Sequence, residues 1–180
     1  MISVLLIGFA IALILAVVFL LLTRSKGAAP AVGSPAPDFT LNSQERVPVT
    51  LHSYLGKWVV LYFYPKDFTP GCTIEAHNFQ RDLAQFEARN AVILGVSTQD
   101  EKTHESFCAK ERLNFKLLAD TRSQVSKQYG SLINLVMTKL SARHTFLIDP
   151  QGIIRKVWLE VQPSRHSCEL LTALAELQRT

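Results

Sequence analysis

The chain has 180 residues, 48% hydrophobic and 19% charged, with a formal net charge of +4: too apolar for a disordered chain and long enough for one domain with a substantial core. Acidic and basic side chains are interspersed without a basic run, which argues against nucleic acid as a partner. Three widely spaced cysteines, with no Cys-x-x-Cys pair and no zinc pattern, exclude a disulfide scaffold and leave redox catalysis as their best use.

The first element is a stretch from Ile2 to Leu22 that carries no charge, with Ser3 and Gly8 its only non-hydrophobic members. At about 1.5 Å per helical residue it spans roughly 30 Å, the hydrocarbon thickness of a bilayer. Ala29-Pro30-Ala31 offers a small-residue triplet for a cleaved secretory signal, but the apolar run is longer than such signals use and no Lys or Arg precedes it. The expected organisation is a transmembrane anchor over 1–23, a linker over 24–37 rich in Ala, Gly, Ser and Pro, and a folded domain over 38–180. Arg24 and Lys26 flank the C-terminal side of the run, so the positive-inside bias puts the domain in the cytoplasm, with an outward-facing domain as the alternative. Membrane lipid is then one expected partner.

Strand composition marks Val59–Phe63, Val92–Val96, Thr145–Ile148 and Ile153–Leu159, the last two joined by the turn Asp149-Pro150-Gln151-Gly152. Helical patterns occupy Thr73–Asn90, Glu101–Leu113, Ser123–Tyr129 and Ser164–Gln178. Alternating strands and helices followed by a closing hairpin and helix imply an α/β layered domain. In the first helix Phe79, Leu83 and Phe86 follow the spacing of one buried stripe, while Ile74 falls off it. Cys72 sits where the apolar run Trp58 to Phe63 and the loop after Pro65 hand over to that helix. A cysteine is nucleophilic only as the thiolate, and the positive dipole end of a helix favours the anion.

Residues 62–73 read Tyr-Phe-Tyr-Pro-Lys-Asp-Phe-Thr-Pro-Gly-Cys-Thr. Pro65, Thr69 and Cys72 stand in a Pro-x-x-x-Thr-x-x-Cys pattern that resembles the peroxiredoxins, thiol peroxidases of thioredoxin-like fold. The surrounding residues, with Glu75 and Ala76, look like the Q-type branch, the bacterioferritin-comigratory-protein class. Gly33 to Leu41, Gly95-Val96-Ser97, Phe115 to Asp120, and Ala142 to Asp149 with Gly152 are similar to the same family, so the resemblance covers roughly residues 31–178. It implies a thioredoxin-like fold with an N-terminal extension. The implied activity is reduction of hydrogen peroxide and organic hydroperoxides through a Cys72 sulfenic acid, with a thioredoxin-like dithiol as reductant and no metal, haem or flavin cofactor. A monomer is the expected state.

That chemistry needs fixed donors around the O–O bond. Thr69 is expected to place its hydroxyl beside the sulfur, the Gly71 and Cys72 N–H groups to add donors, and Pro65 to close the loop and limit water. Arg143, chosen because Ala142 to Asp149 is similar to the family's arginine-bearing strand, supplies the cation, and its planar fork serves two acceptors. Glu75 is expected as a dipole partner or as an orienter of that group. Many Q-type members carry a resolving thiol five residues after the first; here that position is His77, read as a solvated helix residue. Cys108 is the expected resolver in its place, with a buried core cysteine as the alternative, and Cys168 is expected to be structural. His52, His104, His144 and His166 show no metal spacing and read as ordinary. Two rivals remain: a thiol–disulfide exchanger or copper chaperone on the same fold, which needs a second thiol close by where positions 74 to 76 are Ile, Glu and Ala, and a redox sensor that reacts without turnover.

Overall fold

The computed structural model describes residues 28–135 and 138–179. The segment 1–23, expected to anchor the chain in a membrane, lies outside them; among the described residues no helix is long and apolar enough to cross a bilayer. In chain order the elements are β1 (Thr40–Ser43), β2 (Pro48–Thr50), a 3-10 turn (Leu51–Tyr54), β3 (Trp58–Phe63), α1 (Pro70–Glu87), β4 (Ala91–Ser97), α2 (Glu101–Glu111), β5 (Lys116–Ala119), α3 (Gln124–Gln128), β6 (Leu132–Asn134), β7 (Lys139–Ser141), β8 (His144–Ile148), β9 (Ile154–Trp158) and α4 (His166–Leu177).

β3 is central because every one of its residues is buried, the composition of a strand covered on both faces. It pairs in parallel with β4 and antiparallel with β8 inside a seven-stranded sheet of order β2-β1-β5-β4-β3-β8-β9. Alternation along it separates two cores. Trp58, Val60, Tyr62 and Tyr64 face Phe79 and Phe86 of α1, Phe107 and Cys108 of α2, and Leu170, Ala173 and Leu174 of α4. Val59, Leu61 and Phe63 face the other way, toward Phe146, Tyr129 and Val125. Each fully buried aromatic, such as Phe79, contributes about 1.5–3 kcal/mol of transfer free energy.

The expected strands and helices are all present, with shifted ends. α1 begins at Pro70 rather than Thr73, because proline is tolerated at the first helical position, where its missing N–H has no partner to lose. Cys72 therefore lies within the first turn, not before it. β1, β2, β5 and the β6–β7 hairpin were not expected from the sequence; they are short and carry little alternation. Residues 33–36, assigned by sequence to the linker, are hydrogen-bonded along β9: Gly33 N donates to Ile154 O (2.7 Å), Ile154 N to Ser34 O (3.0 Å) and Ala36 N to Gly152 O (2.8 Å). The folded unit thus starts before residue 38. Gly95 on β4 permits a close approach: a Cβ there would meet Leu117 Cδ2 at 2.6 Å and the Tyr62 ring at 2.7 Å.

Candidate active site

Topology brings the expected residues together from distant parts of the chain. Antiparallel pairing sets Phe63, the end of β3, opposite His144, the start of β8. Arg143, the residue before His144, consequently emerges beside the loop that leads from β3 to α1. Its Nη2 donates to Cys72 Sγ at 3.2 Å, and its Nη1 donates to Glu75 Oε2. One planar guanidinium therefore bridges the sulfur and a carboxylate one helical turn further on, the two-acceptor use that distinguishes arginine from lysine. Gly71 leaves room for it, since a Cβ at that position would meet Nη2 at 3.2 Å.

Cys72 is 2% exposed and Glu75 1% exposed. Burial pushes the Glu75 carboxyl up to about 7, and the Arg143 charge offsets only part of that rise. For Arg143 itself burial works against the cation, but the charges of Glu75 and Cys72 hold the guanidinium above its ordinary value. The second oxygen, Glu75 Oε1, is buried without a hydrogen-bond partner. Glu75 is therefore buried against Arg143, in the first turns of α1.

The loop before Cys72 is fixed by its own bonds. Tyr64 N still donates to Val96 O (3.1 Å), extending the β3–β4 pairing, and Pro65, which has no N–H, ends it. Phe68 takes a left-handed φ of 61°, which turns the chain toward the helix at a cost of roughly 1–2 kcal/mol. Thr69 is partly buried and its hydroxyl donates to Lys66 O at 2.8 Å. That departs from the expectation that it would donate beside the sulfur: with its hydrogen committed, Thr69 Oγ1 has only lone pairs to offer a substrate. The first helical bond runs from Thr73 N to Thr69 O (2.9 Å), so the Gly71 and Cys72 N–H groups precede the ladder and have no acceptor within it.

The remaining cysteines separate. Cys108 is 8% exposed on α2 and belongs to the same core cluster as Cys72. Burial, reinforced by the Asp67 and Glu45 carboxylates, pushes its thiol up to about 12. Both thiols are free. Cys168, expected to be structural, is exposed on α4. The buried face of that helix runs through His166, Ser167, Leu170, Ala173 and Leu174, and position 168 falls outside it.

The histidines are less ordinary than their spacing implied. His77 reaches from α1 to Glu111 Oε2 on α2 at 2.7 Å. His166 is buried against Thr145, with Nε2 2.8 Å from its Oγ1, and burial together with the Arg143 charge lowers its pKa to about 4. His104 is fully buried and its Nδ1 lies 2.6 Å from Asp67 Oδ2. Sequence reasoning passed over Asp67, His104 and Tyr64 as a group because His104 lies on α2, 37 residues after Asp67 and 40 after Tyr64, which share the loop after β3. The one local signal was a histidine on the same helical face as a phenylalanine and a cysteine.

Residues 32–157 match the model of the AhpC/TSA family. A bcp peroxiredoxin of Helicobacter pylori is 40% identical over 147 residues, 79% of this chain and 97% of that protein. Among solved structures, the peroxiredoxin Q of Xylella fastidiosa superposes with a TM-score of 0.79 at 35% identity, covering 84% of this chain and 99% of that one. The bacterioferritin comigratory protein of Xanthomonas campestris, described for its alkyl peroxide reduction activity, gives 0.73 at 33% identity over 77% of this chain and 91% of its own. A thioredoxin-like sheet, a cysteine in the first turn of a helix and an arginine held against its sulfur are what a thiol peroxidase needs, and the chain belongs to the AhpC/TSA family as a member of its peroxiredoxin Q/BCP branch.

Proposed function

We propose that this thiol peroxidase works through Cys72 as the peroxide-reacting residue, with Arg143, Thr69 and the Gly71 and Cys72 N–H groups arranging the substrate, and with Cys108 as resolver. The observation that carries the reading is the Arg143 guanidinium 3.2 Å from the Cys72 sulfur and paired on its other side with buried Glu75. A fixed cation at that distance needs no reorganisation when charge develops on the departing oxygen. The thiolate attacks the near oxygen of the hydroperoxide: an S–O bond forms, the O–O bond breaks, and the hydroxide or alkoxide released takes a proton from solvent. Thr69 Oγ1 accepts the hydroperoxide O–H, while Arg143 and the two N–H groups donate to its oxygens. Cys108, as thiolate, then attacks the Cys72 sulfenic sulfur. The S–S bond forms as the S–O bond breaks, and the departing hydroxide takes up the proton shed by Cys108 to leave as water.

Hydrogen peroxide and organic hydroperoxides are the substrates in this reading, in keeping with the alkyl peroxide reduction described for the Xanthomonas relative, and a thioredoxin-like dithiol reduces the disulfide. The apolar stretch Ile2 to Leu22 tethers the enzyme to a membrane, with the catalytic domain on the cytoplasmic side and peroxidised lipid within reach. The test is turnover of peroxide with a thioredoxin system, followed by mass spectrometry of the oxidised chain under non-reducing conditions. Sustained turnover that is lost in Cys72→Ser, and a Cys72–Cys108 bond, are expected. A single stoichiometric reaction that then stops would mean a sensor instead. Flotation of the full chain with lipid vesicles tests the tether, and a chain that stays at the bottom of the gradient removes it.

A further inference from the structure

We propose that His104 is a positioning residue for the second redox step: its bond to Asp67 latches α2 onto the Cys72 loop, and breaking that latch sets the rate at which Cys108 reaches an oxidised Cys72. The inference rests on the assignment of Cys72 and Cys108 made above.

The latch is a closed polar network inside an apolar core. His104 Nδ1 lies 2.6 Å from Asp67 Oδ2 and 3.3 Å from the Tyr64 hydroxyl, which donates to Asp67 Oδ1 at 2.7 Å. A carboxylate only accepts, so Nδ1 carries the hydrogen. Nε2 faces Ser97 Oγ at 3.4 Å, and the Asp67 N–H donates to Gln99 Oε1 at 2.5 Å. His104 is 0% exposed, and Asp67 and Tyr64 are each 1% exposed. Asp67 lies in the loop that leads into Cys72, and Cys108 follows His104 by one turn of α2. The network therefore joins the two segments that carry the two thiols.

Packing alone gives no reason for it. A buried ionic or strongly polar pair is commonly no more stable than apolar side chains of the same volume, and where such a pair is retained, a switch or register role is its best-attested use. In its seat Cys108 is a poor nucleophile: it is buried, and the Asp67 carboxylate is one of the charges that disfavour its thiolate. Lifting α2 from the loop hydrates the sulfur and separates it from Asp67 in one motion. The thiolate then attacks the Cys72 sulfenic sulfur, forming S–S as S–O breaks, and the hydroxide leaves as water with the proton Cys108 gave up. Other ties hold the same helix. Asn42 Nδ2 donates to Glu101 Oε1 (3.0 Å), Arg46 pairs with Glu105 (3.2 Å), His77 reaches Glu111 from an exposed position, and Phe68 meets Phe107 edge-on at 5.1 Å beneath Lys110. The first three are open to solvent and the last is apolar, so the latch is the buried polar tie among them, and its loss is felt only when α2 is seated.

Removing one partner of a buried pair strands the other, an expense borne by the seated state alone. In single-turnover experiments on the full chain, His104→Leu should speed Cys72–Cys108 disulfide formation relative to Cys72 oxidation at least about tenfold, equivalent to about 1.4 kcal/mol. His104→Asn, which keeps a donor near the Nδ1 position, should return the ratio toward wild type. Ile154→Ala, which weakens the separate core on the other face of the sheet from α2, should leave the ratio unchanged. Rapid quenching with a sulfenic-acid trap and an alkylating agent reads both constants. A His104→Leu chain that folds but resolves no faster overturns the latch, as does an Ile154→Ala chain that speeds resolution equally. If wild type forms no Cys72–Cys108 bond, it is the resolver assignment that fails. The latch is then judged by maleimide labelling of Cys108 in the Cys72→Ser, Cys168→Ser chain, where His104→Leu should raise the rate by a similar factor and equal rates overturn it.

Discussion

Replacing Arg143 with methionine removes the group on which both the geometry and the proposed chemistry depend. With Nη2 at 3.2 Å from Sγ, Coulomb's law gives about 1 kcal/mol of attraction to a thiolate in bulk water and roughly 5 kcal/mol at an effective dielectric of 20. Arg143 is 18% exposed and Glu75 1% exposed, which places the pair nearer the second value. Glu75 shares the cation, so the attraction felt by the sulfur is lower than this upper figure. Loss of a single preorganised donor costs about 2.7–4 kcal/mol in a transition state, or about 10²–10³ in rate. The second-order rate constant for oxidation of Cys72 in Arg143→Met should therefore fall by about that factor when followed by stopped-flow fluorescence under pseudo-first-order peroxide. Arg143→Lys should recover only part of it, because an ammonium cannot bridge Sγ and Oε2 with one planar group. Far-ultraviolet dichroism and unfolding curves keep the comparison to folded protein. If folded Arg143→Met oxidises within about threefold of wild type, a shift of under 1 kcal/mol, the arginine is a bystander and the site has been misread.

Glu75 and His166 make opposite predictions about acid. The folded pKa of Glu75 is raised to about 7 from an ordinary 4.5, so its contribution to stability is full below about 4.5 and is lost as pH rises through 7. Glu75→Gln should therefore gain on wild type by up to about 3 kcal/mol between pH 5 and 8 in urea unfolding; a constant difference would refute the shift. His166, lowered to about 4 from 6.5, contributes stability above 6.5 that is lost as pH falls toward 4. The acid-side loss should shrink in His166→Gln, and an unchanged profile over that window would count against its burial as the neutral ring. Gly95→Ala should lower stability by about 1–3 kcal/mol, seen as a reduced thermal midpoint, because its methyl must displace Leu117 and the Tyr62 ring. A midpoint equal to wild type would show that the contact yields freely.

The parts of this protein readable from its residues were those whose signal is local. The run from Trp58 to Phe63 is apolar throughout because a strand buried on both faces has no polar side. Pro65 and Pro70 punctuate the loop for reasons that lie within a few bonds of each ring, and Phe79, Leu83 and Phe86 recur at helical spacing. Cys72 could be singled out on these grounds before any contact was known. β5 could not be recognised as a strand, since Lys116–Ala119 shows almost no alternation and owes its place to pairing with β4 and β1.

Amino-acid order by itself determined a thiol at a helix start, four of the strands and the four helices of an α/β layered domain, and the family resemblance. Tertiary structure alone decided that Arg143 meets Cys72 and Glu75, that Cys168 faces outward while Cys108 is buried, and that His104 closes on Asp67. It also decided that Thr69 spends its hydrogen on Lys66, because which acceptor a hydroxyl reaches depends on how its loop is folded. The physical reason is range: propensity and periodicity act over one or two turns, whereas a guanidinium and a sulfur become partners only when antiparallel pairing lays the start of β8 beside the end of β3.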